Sequence, residues 1–295
     1  MRKKISNMLT FKVTEPMQLL PFIMLKMFGI SRNRAKALIT NRVVLVDNKI
    51  TTYPLTELHP GETVQIDRSK HKMSFHSNDL DIVYEDAYLL VIDKRPGLLS
   101  MSNNTRQETV QTVLNRYLEK GGGRCTSHVV HRLDRDTSGL MLYAKDVQTQ
   151  QSFVKGWQEL VADRRYVALV SGEVEQDDGT IRSWLTEDKH FVTHSSPVDN
   201  GGKYAVTHFR VLRRGGGYSL LELELETGRK NQIRVHMAGM GHPVVGDRKY
   251  GSNDDSMRRL GLHAYILCFR HPVTGKVLRF ETVIPQPFER CLNGE

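Results

Sequence analysis

The stretch Val129–Asp146, VVHRLDRDTSGLMLYAKD, sets Arg132, Asp134, Arg135 and Asp136 within five residues and then turns at once into apolar text. Charges this dense are costly to bury, so the cluster belongs on a surface or along a cleft. Asp, Thr, Ser and Gly at 136–139 are turn residues. GLMLYAKD reads as a strand that starts where the turn ends.

Working outward, DIVYED and YLLVID read as strands joined by a tight turn, KRPGLL as a loop, and ETVQTVLNRYLEK as a helix closed by the glycines at 121–123. After the quoted stretch come a helix (VQTQQSFVKGWQEL) and a strand (RRYVALVSGEV). YSLLELELETG alternates, with Leu221, Leu223 and Leu225 on one face and Glu222, Glu224 and Glu226 on a wet one. HAYILCFRHP and LRFETVIP form a last strand pair. Many strands with few helices between them predict an α+β fold with a mixed, mainly antiparallel sheet, not a βαβ array.

The charge is uneven. Residues 1–78 hold 13 Lys and Arg against 5 Asp and Glu, whereas residues 79–295 hold 29 against 28, so the first quarter carries nearly all of the net +9. A basic module on a near-neutral body points to a polyanionic partner. Within it Ser31 is a helix cap, and Ala35, Leu38 and Ile39 make one apolar stripe. Arg32, Arg34 and Lys36 are the cations of the same helix, which is followed by RVVLV, a DN turn and a closing TVQID strand. RSKHKMSFHSND is polar and aperiodic. The expected division is a small N-terminal α/β module at 1–68, a linker at 69–79 and a larger domain at 80–295.

The longest apolar run, LLPFIMLKMFGI, is shorter than a membrane span and carries Lys26 and Pro21. No signal-peptide pattern is evident, so residence in the cytoplasm is expected. Cys125, Cys268 and Cys291 are too few and too scattered for a disulfide framework or a zinc knuckle. His190 and His194 sit in strand-and-loop text without a third ligand, so no metal site is expected.

For the quoted loop three readings compete. A paired-aspartate protease needs two such loops, and there is one. A Ser138–His131–Asp triad needs a strained strand-to-helix turn, whereas a strand follows Ser138. The third is a loop whose charges pair among themselves.

The wider text decides among them. HRLDRDTSG resembles the signature HRLDxxTSG of the pseudouridine synthases, in the RluA-type branch, which is typified by a large-subunit rRNA enzyme and whose members act on 23S rRNA or tRNA. VIDKRPGLLSM, DRRYVALVSG, TGRKNQIRVHMAGMGHPVVGDRKYG and LHAYILCFRHPVTG resemble the other motifs of that branch, in the same order over about residues 80–288. The N-terminal text, with NRVVLVDNK and GETVQI, resembles the small RNA-binding module named after ribosomal protein S-four. It departs at Asn41 and at Asp47-Asn48.

The resemblance implies an isomerase that converts uridines of structured RNA to pseudouridine, in 23S rRNA or alternatively in tRNA, without metal, nucleotide or redox cofactor. A binding factor for ribosome assembly with dispensable catalysis is the alternative class; a monomer with no membrane association is expected. The resemblance assigns the acting carboxylate to Asp134, its cationic partner to Arg234 and a ring that stacks on the uracil to Tyr166. It leaves Asp136 on a variable position. Arg132 would fill the gap left by a flipped uridine. His131, Arg229 and Gln232 would contact substrate, and Arg32, Arg34 and Lys36 would grip RNA through the N-terminal helix. Two departures from the family text, Arg95 in DKRPG and Lys230-Asn231 in TGRKNQ, bear on local RNA contacts.

Overall fold

The structure, a computed structural model, describes residues 8–27, 29–30, 32–40, 43–67, 75, 77–104, 106–119 and 126–294, without the side chains of residues 33, 34 and 37. The Ser31 cap, Asn41, the glycine stop at 121–123, Cys125, the Arg34 side chain and most of the linker therefore lie outside the described residues. The chain forms two compact units. One holds Met1–Ile92, Met101–His131 and Leu142–Gln151; the other holds Asp93–Ser100, Arg132–Met141 and Ser152–Glu295.

The first unit opens with β1 (Met8–Lys12), β2 (Met17–Gln18), α1 (Leu19–Lys26), α2 (Arg32–Thr40), β3 (Val44–Val46), β4 (Lys49–Ile50), β5 (Glu57–Leu58) and β6 (Thr63–Asp67). Antiparallel pairing gives the order β1-β6-β3-β4, with β2 and β5 as a separate ribbon. Asp47 and Asn48 join β3 to β4 with φ of 47° and 63°. Both central residues of a tight hairpin turn need this sign, and Asp and Asn tolerate it. The apolar run folds as α1. Pro21 is harmless in its first turn, where backbone N–H groups have no intrahelical acceptor. Leu19, Leu20, Phe22 and Ile23 of α1 pack on the Ala35 and Ile39 stripe of α2 and on Val44, Val64 and Ile66.

The chain continues with β7 (Leu80–Glu85), β8 (Leu89–Lys94), α3 (Val110–Glu119), β9 (His128–Val129), β10 (Ser138–Ala144) and α4 (Val147–Lys155). The Asp86 carboxylate accepts from the backbone N–H of Tyr88 and of Leu89, each at 2.8 Å, which closes the β7–β8 turn. Val110, Val113, Leu114 and Leu118 form the buried stripe of α3.

The second unit adds α5 (Trp157–Leu160), β11 (Val161–Ser171), β12 (Asp178–Glu187), β13 (Thr193–Ser196), β14 (Lys203–Gly215), β15 (Tyr218–Leu225), α6 (Gln232–Gly239), β16 (Leu262–Arg270), β17 (Val277–Glu281) and α7 (Gln286–Asn293). Its strands run β13-β12-β14-β15-β11-β16 in antiparallel pairs, with β17 on β16. The start of β10 adds to β16 in parallel, through Ser138–His263 and Gly139–Ala264. The sheet is thus mixed and mainly antiparallel, as the strand text predicts. Val167 and Leu169 of β11 pack with Phe288 and Leu292 of α7. Alternation along the strand turns the intervening Tyr166 and Ala168 to the opposite face.

One face of β15 departs from expectation. Leu221 and Leu223 are buried and Glu224 and Glu226 exposed, but Glu222 is buried too. Its carboxylate is taken up by Arg165 at 3.0 Å, Arg210 at 2.7 Å and the Tyr265 hydroxyl.

Gly139 explains the glycine of the quoted motif. It has φ of 112°, and a Cβ there would lie 2.1 Å from the Ala264 carbonyl oxygen. Gly139→Ala is expected to destabilise the protein by about 3 kcal/mol or more, read as a fall in thermal midpoint or loss of soluble protein.

Candidate active site

The quoted motif becomes a loop held from below. Lys94 is fully buried, and its ammonium donates to three carbonyl oxygens: Arg135 at 2.7 Å, Leu98 at 2.9 Å and Arg95 at 3.0 Å. Every donor of the ammonium is used, and two loops are tied together. Burial pushes the Lys94 pKa down to about 8, opposed by the charge of Asp136. The Ser100 hydroxyl donates to the Leu133 carbonyl at 2.7 Å and accepts from the Leu133 N–H at 3.1 Å. The backbone of residues 133–135 is thereby fixed, with Asp134 at its centre.

Asp134 meets Arg234 as expected. Nη1 of Arg234 lies 3.3 Å from Oδ2 of Asp134, across 100 residues of chain. Arg234 projects from the first turn of α6, but its main partner is Asp247, an unforeseen residue. Nε and Nη2 donate to Asp247 at 2.6 and 2.7 Å, in a bidentate pair. The Asp247 side chain is fully buried. Burial works against the Arg234 charge, yet Asp247 first and Asp134 second hold its pKa above the ordinary arginine value. A third contact, to Oδ1 of Asn231 at 3.2 Å, completes the fork.

Asn231 is a departure from the family text, and the backbone gives it a use. It caps α6 with φ of 54°, a left-handed conformation that asparagine tolerates. Its amide also donates to the Tyr250 hydroxyl at 2.9 Å.

A cleft of about 180 Å³ lies over the pair, lined by Arg132, Asp134, Arg164, Tyr166, Arg229 and Arg234, with apolar walls from Leu225 and Leu262. The structure therefore brings together Asp134, Tyr166, Arg234, Arg132, Arg229 and Gln232. Tyr166 is buried and presents its ring to the cleft, while Arg132 and Arg229 are exposed. Arg164, unforeseen, places its guanidinium 5.8 Å from the Tyr166 ring centroid and 5.4 Å from that of Trp157. The one anion of this set faces four guanidiniums, which suits a polyanionic ligand.

Gln232 lines the same cleft and is 2% exposed. Its amide donates to the Val206 carbonyl and to Thr207 Oγ1 and accepts from Thr227 Oγ1 and the Arg229 N–H. An amide with four protein bonds holds the 227–229 loop at the wall of the cleft. His131, in the first unit, accepts at Nε2 from the Leu142 N–H at 3.1 Å. Arg32 is exposed on α2, and Lys36 donates to the Tyr88 hydroxyl at 3.2 Å with its ammonium 4.9 Å from that ring. Arg135 and Asp136 pair with each other in solvent at 3.3 Å.

Ser138 is buried, with Oγ 2.7 Å from His263 Nδ1 and accepting from Arg259 at 2.6 Å. No substrate reaches a serine so enclosed, which disposes of the triad. Among the described residues no group of three or more His, Cys, Asp or Glu could hold a metal ion, and no helix is long and apolar enough to cross a membrane.

Two buried imidazoles set an acid limit. Burial lowers the pKa of His236 to about 4; burial, helped by Arg259, lowers that of His263 to about 3. Between these values and 6.5 the unfolded chain binds protons that the folded chain refuses, so stability falls as the pH drops below 6.5. At pH 5 the loss is about 2 kcal/mol per imidazole. Denaturant melts at pH 7 and pH 5 are expected to show it, and His236→Gln to lose about half the difference.

The chain is similar to known proteins over most of its length. Residues 88–239 match the family model described as RNA pseudouridylate synthase. An RNA pseudouridine synthase of Bacillus subtilis named YjbO, itself described as uncharacterized, is 36% identical over 217 residues, 73% of this chain and 76% of its own. Ribosomal large subunit pseudouridine synthase D of Salmonella typhimurium is 36% identical over 274 residues, 87% of this chain and 83% of its own. Among solved structures, human RNA pseudouridylate synthase domain containing 1 superposes with a TM-score of 0.59 at 28% identity, covering 73% of this chain and 86% of that one.

Proposed function

Because the chain belongs to the RNA pseudouridine synthase family, isomerases that act on RNA, we propose that it converts uridines of 23S rRNA to pseudouridine, with Asp134 as the acting carboxylate. The observation that carries this reading is the Asp134–Arg234 contact beside Tyr166 in a single cleft. The rRNA substrate is supported by the relative named for the large ribosomal subunit.

The reaction breaks the bond from uracil N1 to the sugar, rotates the base, and re-forms the bond through C5. The proton on C5 is lost and N1 gains one, so nothing enters or leaves overall. Asp134 acts as an anion, either attacking the sugar or taking a sugar proton. Arg234 keeps it charged in the cleft. The Tyr166 ring stacks on the uracil, and Arg132 fills the gap that the flipped base leaves in the RNA, offsetting an unstacking cost on the order of a few kcal/mol. Residues 1–68 serve as an RNA-binding module through Arg32 and Lys36, and the enzyme works in the cytoplasm.

The experiment is a transcriptome-wide pseudouridine map by carbodiimide labelling, in cells with and without the gene. One or a few 23S rRNA positions lost in the knockout are expected. Loss at tRNA positions instead would keep the chemistry and replace the substrate.

A further inference from the structure

A second cavity, of about 420 Å³, opens beside the cleft. It is lined by Glu187, Thr193, Gly202 and Lys203 and shares Gly228, Arg229 and Lys230 with the first. Arg229, Lys230 and Lys203 face one carboxylate, Glu187, so the positive lining of the cleft continues into it. Lys230 leads onward. Its ammonium is 2.8 Å from Glu187 and 5.3 Å from the centroid of the Phe191 ring.

Phe191 is unusual in two ways. It is 67% exposed, on a turn between β12 and β13. Its φ is 60°, which a bulky side chain adopts only under strain. The turn holding it is well built. Asp188 Oδ1 accepts from the N–H of His190 at 2.8 Å and of Val192 at 2.9 Å, and Oδ2 lies 2.9 Å from His194 Nε2. Lys249 donates to the Phe191 carbonyl at 2.7 Å. A strained backbone thus presents an apolar ring to water from a fixed support, with Lys230 near the ring and Lys249 on the backbone carbonyl. The contact with Lys230, at an exposed site, returns less than such backbone strain costs; a glycine would sit there without strain.

An aromatic face beside a cationic track is what an unpaired nucleotide strand requires: cations for phosphates, a ring for a base. We propose that Phe191 is a stacking platform for an unpaired base flanking the target uridine, with Lys230, Lys203 and Lys249 holding the intervening phosphates. This deepens the RNA reading above and rests on it. The fixed turn makes the platform ready before binding, which spares ordering entropy.

The test compares two fluorescein-labelled dodecamers of uridine, one carrying every base and one abasic except at a single central uridine. Binding is followed by anisotropy at one fixed salt concentration, with the full chain. The parent is expected to bind the complete strand about tenfold more tightly than the stripped one. Phe191→Gly is expected to fold at least as stably and to lose most of that preference, and Phe191→Tyr to retain it. A Phe191→Gly protein that still prefers the complete strand as strongly as the parent would overturn the platform. A parent without such a preference would overturn it too. Pseudouridine formation by the parent on a 23S rRNA transcript is scored separately, so failure of the enzymatic reading is not confused with failure of this one.

Discussion

Asp134→Asn is expected to abolish isomerisation while the protein stays folded and bound to RNA. Asparagine keeps the shape of the side chain and loses only the charge. Neither attack on the sugar nor proton abstraction is open to an amide, so the rate should fall by about four orders of magnitude or more. The fold is insulated because Arg234 keeps its bidentate bonds to Asp247 and its contact with Asn231. Asp134 is also partly open to water, so the change in stability should stay within about 1 kcal/mol. Removing an anion from a cleft lined by arginines leaves RNA affinity unchanged or slightly higher. Single-turnover assays on a 23S rRNA transcript, with filter binding and thermal melts of the same preparation, check the three parts together. Turnover near the parent rate would sink the role given to Asp134.

Asp247→Ala is expected to act in the opposite proportion, on stability as well as rate. The Asp247 carboxylate is wholly enclosed and receives two hydrogen bonds from a guanidinium that is itself mostly buried. Removing one partner of such a pair leaves a buried charge without its counterion and costs about 3–5 kcal/mol. At about 2–4 °C per kcal/mol, the midpoint should drop by roughly 10 °C. Released from Asp247, Arg234 is no longer aimed at Asp134. Misplacement of an orienting group by about 1 Å is enough for a loss on the order of a hundredfold, measured well below the new midpoint. Calorimetry and single-turnover rates on one sample distinguish this from the Asp134 substitution, which leaves the melt in place.

Much of the site is legible in the chain because its polar motifs are local text. HRLD sits in one loop, RRY on one strand and QIR in one helical turn, and their meeting follows from the family resemblance without knowledge of packing. The strand pattern is legible for a similar reason, since alternation and turn chemistry act over a few residues. What stays hidden depends on burial partners distant in sequence. Glu222 reads as a solvent-facing residue until Arg165, Arg210 and Tyr265 arrive from other strands. The bonds Gln232 makes to Val206, Thr207, Thr227 and the Arg229 N–H are equally absent from its local text. Asp247 lies inside quoted motif text, but nothing in GDRKYG says that its carboxylate turns back to a helix 13 residues earlier. Helix α1 escapes notice because four of its residues are packed away and the polar positions that mark a helical period are few.

The Lys94 clamp also bears on how the site is assembled during synthesis. The ammonium leaves the ribosome 41 residues ahead of the Arg135 carbonyl it needs, a wait of roughly 2–8 s at ordinary elongation rates. Through that interval the Arg95 and Leu98 carbonyls are at hand, and the third acceptor of the clamp is missing. Asp134 then emerges 100 residues before Arg234, so its counterion follows after roughly 5–20 s more. The nascent chain thus exposes its basic N-terminal text well before it can do chemistry, and any RNA it holds in that time is held by an enzyme that does not yet have an active site.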